Sequence, residues 1–200
     1  MQKINFQNLP NTTTPLSAQN MNAIQDNAEA AINDVQTQVT NNKPQIITVG
    51  LTTDVSMSTS NTYTSISLNN INAQTSNCTF TLKSGSTSTV GNFAGVEIPT
   101  GITKIKASSL LQCTNTSGNS MYFINFLYRY RGGETSIIMR SLTSPLASSS
   151  TGLSALIPSF LIDVQEGDII FMRPYKSNSS NSATVNSGTS RTFLTIESVE

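Results

Sequence analysis

The spacing of apolar side chains divides this sequence into three zones, and the first zone, residues 1 to 15, has no regular pattern. It is a polar peptide with three isolated apolar residues and two prolines, which are Ile4, Phe6, Leu9, Pro10 and Pro15. A peptide broken by proline has no helix or sheet of its own against which to bury apolar side chains. We therefore predict an extended attachment peptide that binds a partner surface through these residues.

The second zone, residues 16 to 42, has the period of a helix. Ser17 is a good N-cap, and Leu16 and Met21 fall at the two positions of a hydrophobic staple. No Gly or Pro interrupts residues 18 to 40, and apolar residues recur at a spacing of three and four, at Met21, Ile24, Ala28, Ala31 and Val35. This spacing predicts a helix with a short heptad seam.

The heptad seam allows two interpretations. The opposite face of the helix is polar and the flanking chain offers no second helix, which favours self-association as a coiled-coil stalk. Alternatively, a single amphipathic helix packs on its own domain. Several seam residues are alanines and Gln38 occupies the next seam position, so we expect the seam alone to associate weakly.

The third zone, residues 43 to 200, alternates with the period of two that is typical of β-strands. Cys78, Phe80 and Leu82, for example, alternate with polar neighbours. Further strands are predicted at 45–51, 63–68, 90–98, 103–113, 136–141, 160–164, 169–175 and 192–198. With short Gly-containing turns between them and no second helical pattern, these strands predict an antiparallel, jelly-roll-like β-sandwich head domain.

One predicted strand, residues 122 to 130, is apolar on both faces near its middle. Ile124, Phe126 and Tyr128 share one face, while Phe123 and Leu127 share the other. Two explanations fit this pattern equally well: a central strand covered on both sides within one subunit, or a strand whose outer face is covered by a neighbouring subunit.

The composition argues against highly charged partners. Ser, Thr, Asn and Gln make up 87 of the 200 residues, whereas charged residues are only 11% and carry eleven charges of each sign. Nucleic acids and anionic membranes select clustered Lys and Arg, so neither is predicted as a partner. No run approaches the roughly 18 apolar residues of a membrane span, and the first residues lack the apolar run of a secretory signal.

The sequence offers little material for catalysis or metal binding. It contains no His, and its acidic residues cluster only at Asp163, Glu166 and Asp168, around the turn residue Gly167. Turn geometry explains that cluster, with a calcium-type oxygen site as the alternative. Cys78 and Cys113 have no metal-ligand or redox spacing. We therefore predict no enzymatic activity, no cofactor and no metal.

Two stretches are candidates for contact with a ligand. In the first, Tyr128, Arg129, Tyr130 and Arg131 interleave aromatic and basic groups that can stack on sugars and donate to their hydroxyls. Strand alternation also gives a plain explanation, with the tyrosines in a core and the arginines at its rim. The second stretch is the polar segment 177–190, represented by Asn178 and Asn181, for which a mobile hairpin tip is the alternative.

Residues 9 to 22, LPNTTTPLSAQNMN, resemble the opening of many appendage proteins of tailed bacteriophages that infect Gram-positive bacteria. Ser17 stands where Asn is more usual in that opening, so the attachment point on the particle (capsid, neck or tail) stays open. Separately, residues 160–170, FLIDVQEGDII, and 193–197, FLTIE, resemble the last strands of trimeric jelly-roll heads of the tumour-necrosis-factor and complement type.

These resemblances imply a homotrimeric fibre of the virion, assembled in the host cytoplasm. Residues 1–15 would bind other virion proteins, residues 16–42 would form the trimeric stalk, and residues 43–200 would form the head. The head would adhere to host cell-wall glycan or teichoic acid through many weak sites. One alternative is a head fibre or capsid decoration protein without a specific receptor. Another is a carbohydrate-active enzyme, which would need a pair of carboxylates in a cleft.

Overall fold

The structure, a computed structural model, describes residues 18–41, 43–57, 63–117, 120–143, 152–178 and 180–199. These residues fall into two compact units, of which the first ends at Lys43 and the second begins at Pro44. The predicted attachment residues Ile4, Phe6, Leu9, Pro10 and Pro15 and the predicted N-cap Ser17 lie outside the described residues.

The first unit contains one helix, α1, Ala18–Asn41, which confirms the helix that the apolar spacing predicts. Its 24 residues span about 36 Å at 1.5 Å per residue. Four of the five predicted seam residues are exposed, and Ile24 and Val35 each expose 57% of their surface. The helix therefore carries an apolar stripe that its own residues do not cover.

The second unit is built from strands. In the parts of the chain that the structure describes they are β1 Ile46–Gly50, β2 Val55–Met57, β3 Asn70–Gln74, β4 Thr81–Thr87, β5 Gly91–Glu97, β6 Lys104–Asn115, β7 Phe123–Arg131, β8 Glu134–Leu142, β9 Leu153–Asp163, β10 Ile169–Lys176, β11 Ala183–Val185 and β12 Phe193–Ser198. All of their pairings are antiparallel.

The strands form two sheets. In the seven-stranded sheet, the long strand β6 pairs with β9 along one edge. Along its other edge β6 pairs with both β12 and β11, which lie end to end. Beyond them, β1 pairs with β12, β2 pairs with β11, and β3 pairs with β1. The five-stranded sheet has the order β4, β5, β10, β7, β8. This alternation of the chain between two sheets is the strand order of a jelly roll, which confirms the predicted fold class of the head.

The main core lies between the two sheets. Strand β6 shows how the sequence builds it, because buried residues alternate with part-exposed ones along its length. Ile105, Ala107 and Cys113 are completely buried there, and Phe123 and Leu127 of β7 face them from the other sheet as part of the same core cluster. Burial raises the pKa of the Cys113 thiol well above its usual range, so Cys113 behaves as an inert apolar group.

Several strand boundaries differ from the sequence prediction. Residues 63–68, predicted as a strand, form only isolated bridges, from Tyr63 to Tyr175 and from Ser67 to Ala94. The apolar alternation there has another cause, since Ile66 and Leu68 are buried in the main core. The backbone of this segment forms no continuous run of strand hydrogen bonds. Strand β9 begins at Leu153, well before the predicted residue 160.

The short strands β2, β3 and β11 are absent from the sequence prediction. They have three to five residues each, and each contains at least one Asn, Ser or Thr. Segments of this length and polarity carry no detectable period of two. They become strands because each pairs with the backbone groups of a neighbouring strand: β11 pairs with β6, β2 pairs with β11, and β3 pairs with β1.

Candidate functional site

A second apolar cluster covers the outer face of the five-stranded sheet, away from the main core. Along β7, Phe123 and Leu127 belong to the main core, whereas Phe126 and Tyr128 belong to this second cluster. Successive side chains of a strand point to opposite faces, so the second cluster lies on the outside. We call it the aromatic face; its members are Tyr63, Val90, Phe93, Ile124, Phe126, Tyr128, Tyr130, Ile169, Phe171 and Tyr175.

The rings of the aromatic face pack on one another. Phe171 of β10 stacks on Phe93 of β5 at 4.2 Å between ring centroids and on Tyr128 of β7 at 5.4 Å. Tyr63 meets Tyr175 edge to face at 4.9 Å and Phe126 at 5.8 Å. Three neighbouring strands and the segment after residue 62 thus build a continuous aromatic surface. This explains why β7 is apolar on both faces: its outer side chains are covered within one subunit.

Two arginines lie on the same side of the five-stranded sheet as the aromatic face, one on the inner strand β10 and one on the edge strand β8. The strand registers pair Arg173 of β10 with Phe126, and Phe126 with Arg140 of β8, so the three side chains form one row across the sheet. The guanidinium carbon of Arg173 lies 4.6 Å from the centroid of the Tyr63 ring, within the range of a cation–π contact.

The side chains of Arg173 and Arg140 have no acidic partner in the portion of the chain that the structure describes. The Nε of Arg173 is buried and makes no hydrogen bond to any described residue. An acidic residue on the same face, Glu97 of β5, is 3.4 Å from the ammonium of Lys83. The row from Arg173 to Arg140 is therefore a region of uncompensated positive charge.

The structure separates the four residues of the first predicted ligand stretch. Tyr128 is 93% buried inside the aromatic face and Tyr130 is partly exposed at its margin. Arg129 and Arg131 extend from the opposite face of β7, as the alternation predicts. The Nη1 of Arg129 donates to the main-chain carbonyl of Asp163 at 3.3 Å. Of this stretch, only Tyr130 contributes to the exposed part of the aromatic face.

Arg131 is committed to an ion pair with the buried side chain of Asp168. Its Nε donates to Oδ1 at 2.7 Å and its Nη2 to Oδ2 at 2.5 Å, a bidentate arrangement. This hydrogen bonding raises the pKa of Arg131, so the guanidinium stays charged. Oδ2 also accepts from the backbone N–H of Gln165 at 2.9 Å. Asp168 therefore shapes the turn around Gly167, whose φ of +79° favours glycine.

The second predicted ligand stretch, residues 177–190, is largely structural. It contains strand β11, and Asn181 keeps only 2% of its surface exposed. The ammonium of the buried Lys176 donates to the main-chain carbonyl of Asn181, and burial lowers the pKa of Lys176. Asn178 is partly exposed, and its Oδ1 accepts from the backbone N–H of Ser180 at 2.9 Å. Asn178 is thus the more accessible of the two asparagines.

The chemistry available elsewhere is limited. Within the described ranges, no three acidic or cysteine side chains lie close enough together to hold a metal ion. Among the helical residues described, no stretch is long and apolar enough to cross a membrane. Partial burial raises the pKa of the Cys78 thiol, the opposite of what a reactive thiolate needs.

The aromatic face itself can stack on a flat or apolar surface through its rings and attract an anion through its arginines.

Sequence reasoning misses Tyr63, Arg140 and Arg173 as site residues. One signal is present, because Phe171, Arg173 and Tyr175 alternate with Met172 and Pro174 and so share one face of their strand. The sequence does not say that this face adjoins Phe126 and Arg140, since that neighbourhood depends on the order of strands in the sheet.

Comparison with known proteins finds similarity at the level of structure only. The sequence matches no protein-family profile and no curated protein. Crystal structures of murine APRIL at pH 8.5 and pH 8.0 are similar to this chain, with 13% and 12% identity, TM-scores of 0.48 and 0.49, and coverage of 78% of this chain and 100% of theirs. Eiger TNF from S. frugiperda is similar with 10% identity, a TM-score of 0.43, and coverage of 78% of this chain and 92% of its own. Similarity this weak does not indicate what this chain binds.

Proposed function

We propose that this chain is the subunit of a homotrimeric fibre on the particle of a tailed bacteriophage. Residues 1 to 15 attach it to other virion proteins, the helix forms a three-stranded stalk, and the β-sandwich is a head that adheres to glycan or teichoic acid on the host cell surface. The resemblance of residues 9 to 22 to phage appendage proteins supports the virion role. The resemblance of the last strands to trimeric heads supports an assembly of three subunits.

The observation that carries self-association is exposed apolar surface in both units. On α1, the side chains of Ile24, Ile32, Val35 and Val39 are all exposed. Burial is worth about 25 cal/mol for each Å² of apolar surface removed from water. A second and a third copy of the same helix present the complementary stripe, as the heptad spacing requires.

The head has a matching feature on two edge strands. Five large apolar side chains are exposed on β8 and β9, the outermost strands of the two sheets, namely Ile137, Met139, Leu142, Leu156 and Leu161. Leu161 alone exposes 63% of its surface. Exposed apolar edge strands invite association and are normally protected by charge or by cover. Neighbouring copies in a closed ring would cover each of these edges without leaving a free one.

A charge placed in either apolar surface is expected to break up the trimer. In the variant Ile24→Asp/Val35→Asp, burial of two apolar side chains is replaced by burial of two carboxylates. The variant Leu156→Asp/Leu161→Asp does the same at the head edge. We expect association at least about a hundredfold weaker in each, since each lost side chain contributes about 1.5–3 kcal/mol. Solution mass by sedimentation equilibrium against concentration measures the effect.

Control variants add a single carboxylate outside the two apolar surfaces. Asn33→Asp changes the polar face of α1, and Ser86→Asp changes an exposed position on β4, at the far edge of the five-stranded sheet. Both variants should keep the native mass. A native chain that sediments at 21.4 kDa over the whole concentration range would contradict the trimer.

Attachment to the particle is tested separately in residues 1 to 15. The variant Ile4→Ser/Phe6→Ser/Leu9→Ser is expected to be missing from purified particles, because the attachment peptide loses the apolar groups that bind its partner. Its solution mass should stay that of the native trimer. Immunoblots of gradient-purified particles measure incorporation. The control Asn5→Ala/Gln7→Ala/Asn8→Ala alters the same peptide and should be incorporated, whereas equal incorporation of the serine variant would exclude this attachment mode.

A further inference from the structure

We propose that the aromatic face binds the phosphodiester backbone of a teichoic-acid-type polymer, a chain of polyol phosphate units, through Arg173 and Arg140. This inference rests on the proposed adhesive function and deepens it, because it names the surface of the head and the chemistry of the ligand. The bound groups are anionic phosphates rather than neutral sugars.

The position of the two arginines argues for an extended anion. They lie on the outer face of β10 and β8, with Phe126 of β7 between them in the same row. Neighbouring strands are about 4.8 Å apart, so the two backbones are about 10 Å apart. Two phosphates of one flexible polymer can occupy two cations at that separation.

The unmet bonding capacity of Arg173 argues for a ligand at this place. Its Nε is buried without a hydrogen-bond partner among the described residues, although buried polar groups are almost always paired. The ring of Tyr63 below the guanidinium offsets part of the lost hydration but supplies no acceptor. The planar guanidinium suits phosphate in particular, because it donates two parallel hydrogen bonds.

The surroundings fit the rest of such a polymer. Tyr63, Tyr130 and Tyr175 are partly exposed around the arginine row, and their rings can contact the carbon chain of a polyol while their hydroxyls bond to its oxygens. A neutral glycan would use the tyrosines but would leave both guanidinium charges without a partner. The chain as a whole has no net charge, so this local excess of positive charge is not a property of the entire surface.

The two arginines differ in exposure and in neighbours. Arg140 is exposed on the edge strand β8, between Ile137 and Leu142, which we assign to the contact between subunits. Arg173 lies on β10, two strands away from that edge. The polymer would therefore pass from the middle of one head towards the boundary with its neighbour, and Arg173 is the position at which binding is least dependent on trimer assembly.

The test measures binding of soluble poly(glycerol phosphate) to the full-length chain by biolayer interferometry. Arg173→Gln is expected to weaken binding about tenfold or more, the value of one charge-assisted contact, and addition of Arg140→Gln should weaken it further. Native binding should decline as salt is raised. Lys104→Gln removes one positive charge from an exposed position on the other sheet and should bind as the native chain does.

Two further measurements keep the outcome clear. Arg140→Gln alone changes an exposed side chain on the edge strand β8, so its loss of binding cannot be ascribed to misfolding of the aromatic face. Because this strand is assigned to the contact between subunits, its solution mass is measured alongside, and binding is compared with the native chain at equal trimer content. Binding to intact cell walls is compared with binding to walls stripped of phosphodiesters by hydrofluoric acid. Loss of binding on stripping supports the inference. Equal binding to stripped walls, or unchanged binding of Arg173→Gln, overturns the inference but leaves adhesion standing. No binding of the native trimer to either wall overturns adhesion itself and favours a decoration protein.

Discussion

Replacement of Gly95 by alanine is expected to destabilise the head by about 3 kcal/mol or more. Gly95 lies in β5, close beside the neighbouring strand β10. A Cβ atom at this position would be 2.1 Å from the main-chain oxygen of Ile170 and 2.7 Å from the Cβ of Phe171. Neither obstacle is the flexible end of a side chain, so relief of the overlap requires the backbone of β10 to move.

The position of β10 makes that movement costly. β10 pairs with β7 along eight consecutive residues, and its side chains contribute to both cores, with Ile170 in the main core and Phe171 in the aromatic face. A shift of its backbone therefore disturbs packing on both sides of the sheet. Urea unfolding followed by circular dichroism gives the free energy of unfolding.

Gly101→Ala is the matched control for Gly95→Ala. Nothing lies within 4 Å of a Cβ added at Gly101, although its φ of +86° is unfavourable for alanine. We expect a loss of about 1 kcal/mol from backbone strain alone. If Gly95→Ala is no less stable than Gly101→Ala, then β10 does not lie as close to β5 as the structure indicates.

Replacement of Asp168 by asparagine is expected to cost about 2 kcal/mol, and replacement by alanine about 3 kcal/mol. Asp168 is buried and accepts three hydrogen bonds, two from Arg131 and one from the backbone of Gln165. Asparagine keeps the shape but loses the charge and one acceptor. Removal of one member of a buried ion pair costs 3–5 kcal/mol, and we take a lower value because the side chain of Arg131 is 36% exposed.

The control for Asp168 is Asp163→Asn, five residues earlier in the chain. Asp163 is exposed and its side chain forms no ion pair with the residues described, so this variant should change the free energy of unfolding by less than about 0.5 kcal/mol. A double-mutant cycle that combines Asp168→Asn with Arg131→Gln should show coupling between the two positions. Equal stability of Asp168→Asn and Asp163→Asn would contradict a structural ion pair.

The Asp168 result also bears on the ligand-binding candidates. Arg131 looks available for a ligand when the sequence is considered alone, because a basic residue next to an aromatic one is a common binding pattern. The distribution of acids along the chain cannot show that a carboxylate 37 residues later reaches Arg131 across the sheet. The ion pair commits this cation to the turn between β9 and β10, which leaves Arg173 and Arg140 as the cations on the aromatic face that have no acidic partner among the described residues.

Local pattern was enough to predict the secondary structure of this protein in outline. The helix at Ala18–Asn41 follows from the spacing of its apolar residues, and the long strands β6, β7, β10 and β12 lie where apolar, period-two stretches predict strands. These patterns can be recognised in the sequence because the geometry of a single helix or strand fixes the face to which each of its side chains points. The opposite orientation of the tyrosines and arginines from Tyr128 to Arg131 is a prediction of the same kind, and the structure confirms it.

The aromatic face, in contrast, was decided only by the tertiary structure. Its arginine row joins residues 126, 140 and 173, and Tyr63 covers it from a segment in which alternation wrongly predicts a strand. Strand order brings these residues together, and strand order depends on how two sheets pack around one core, not on any short stretch of sequence. The sequence by itself therefore determined the helix, most of the long strands and the directions of their side chains. Only the folded chain decided which elements are neighbours, and hence which charges keep a partner and which remain free.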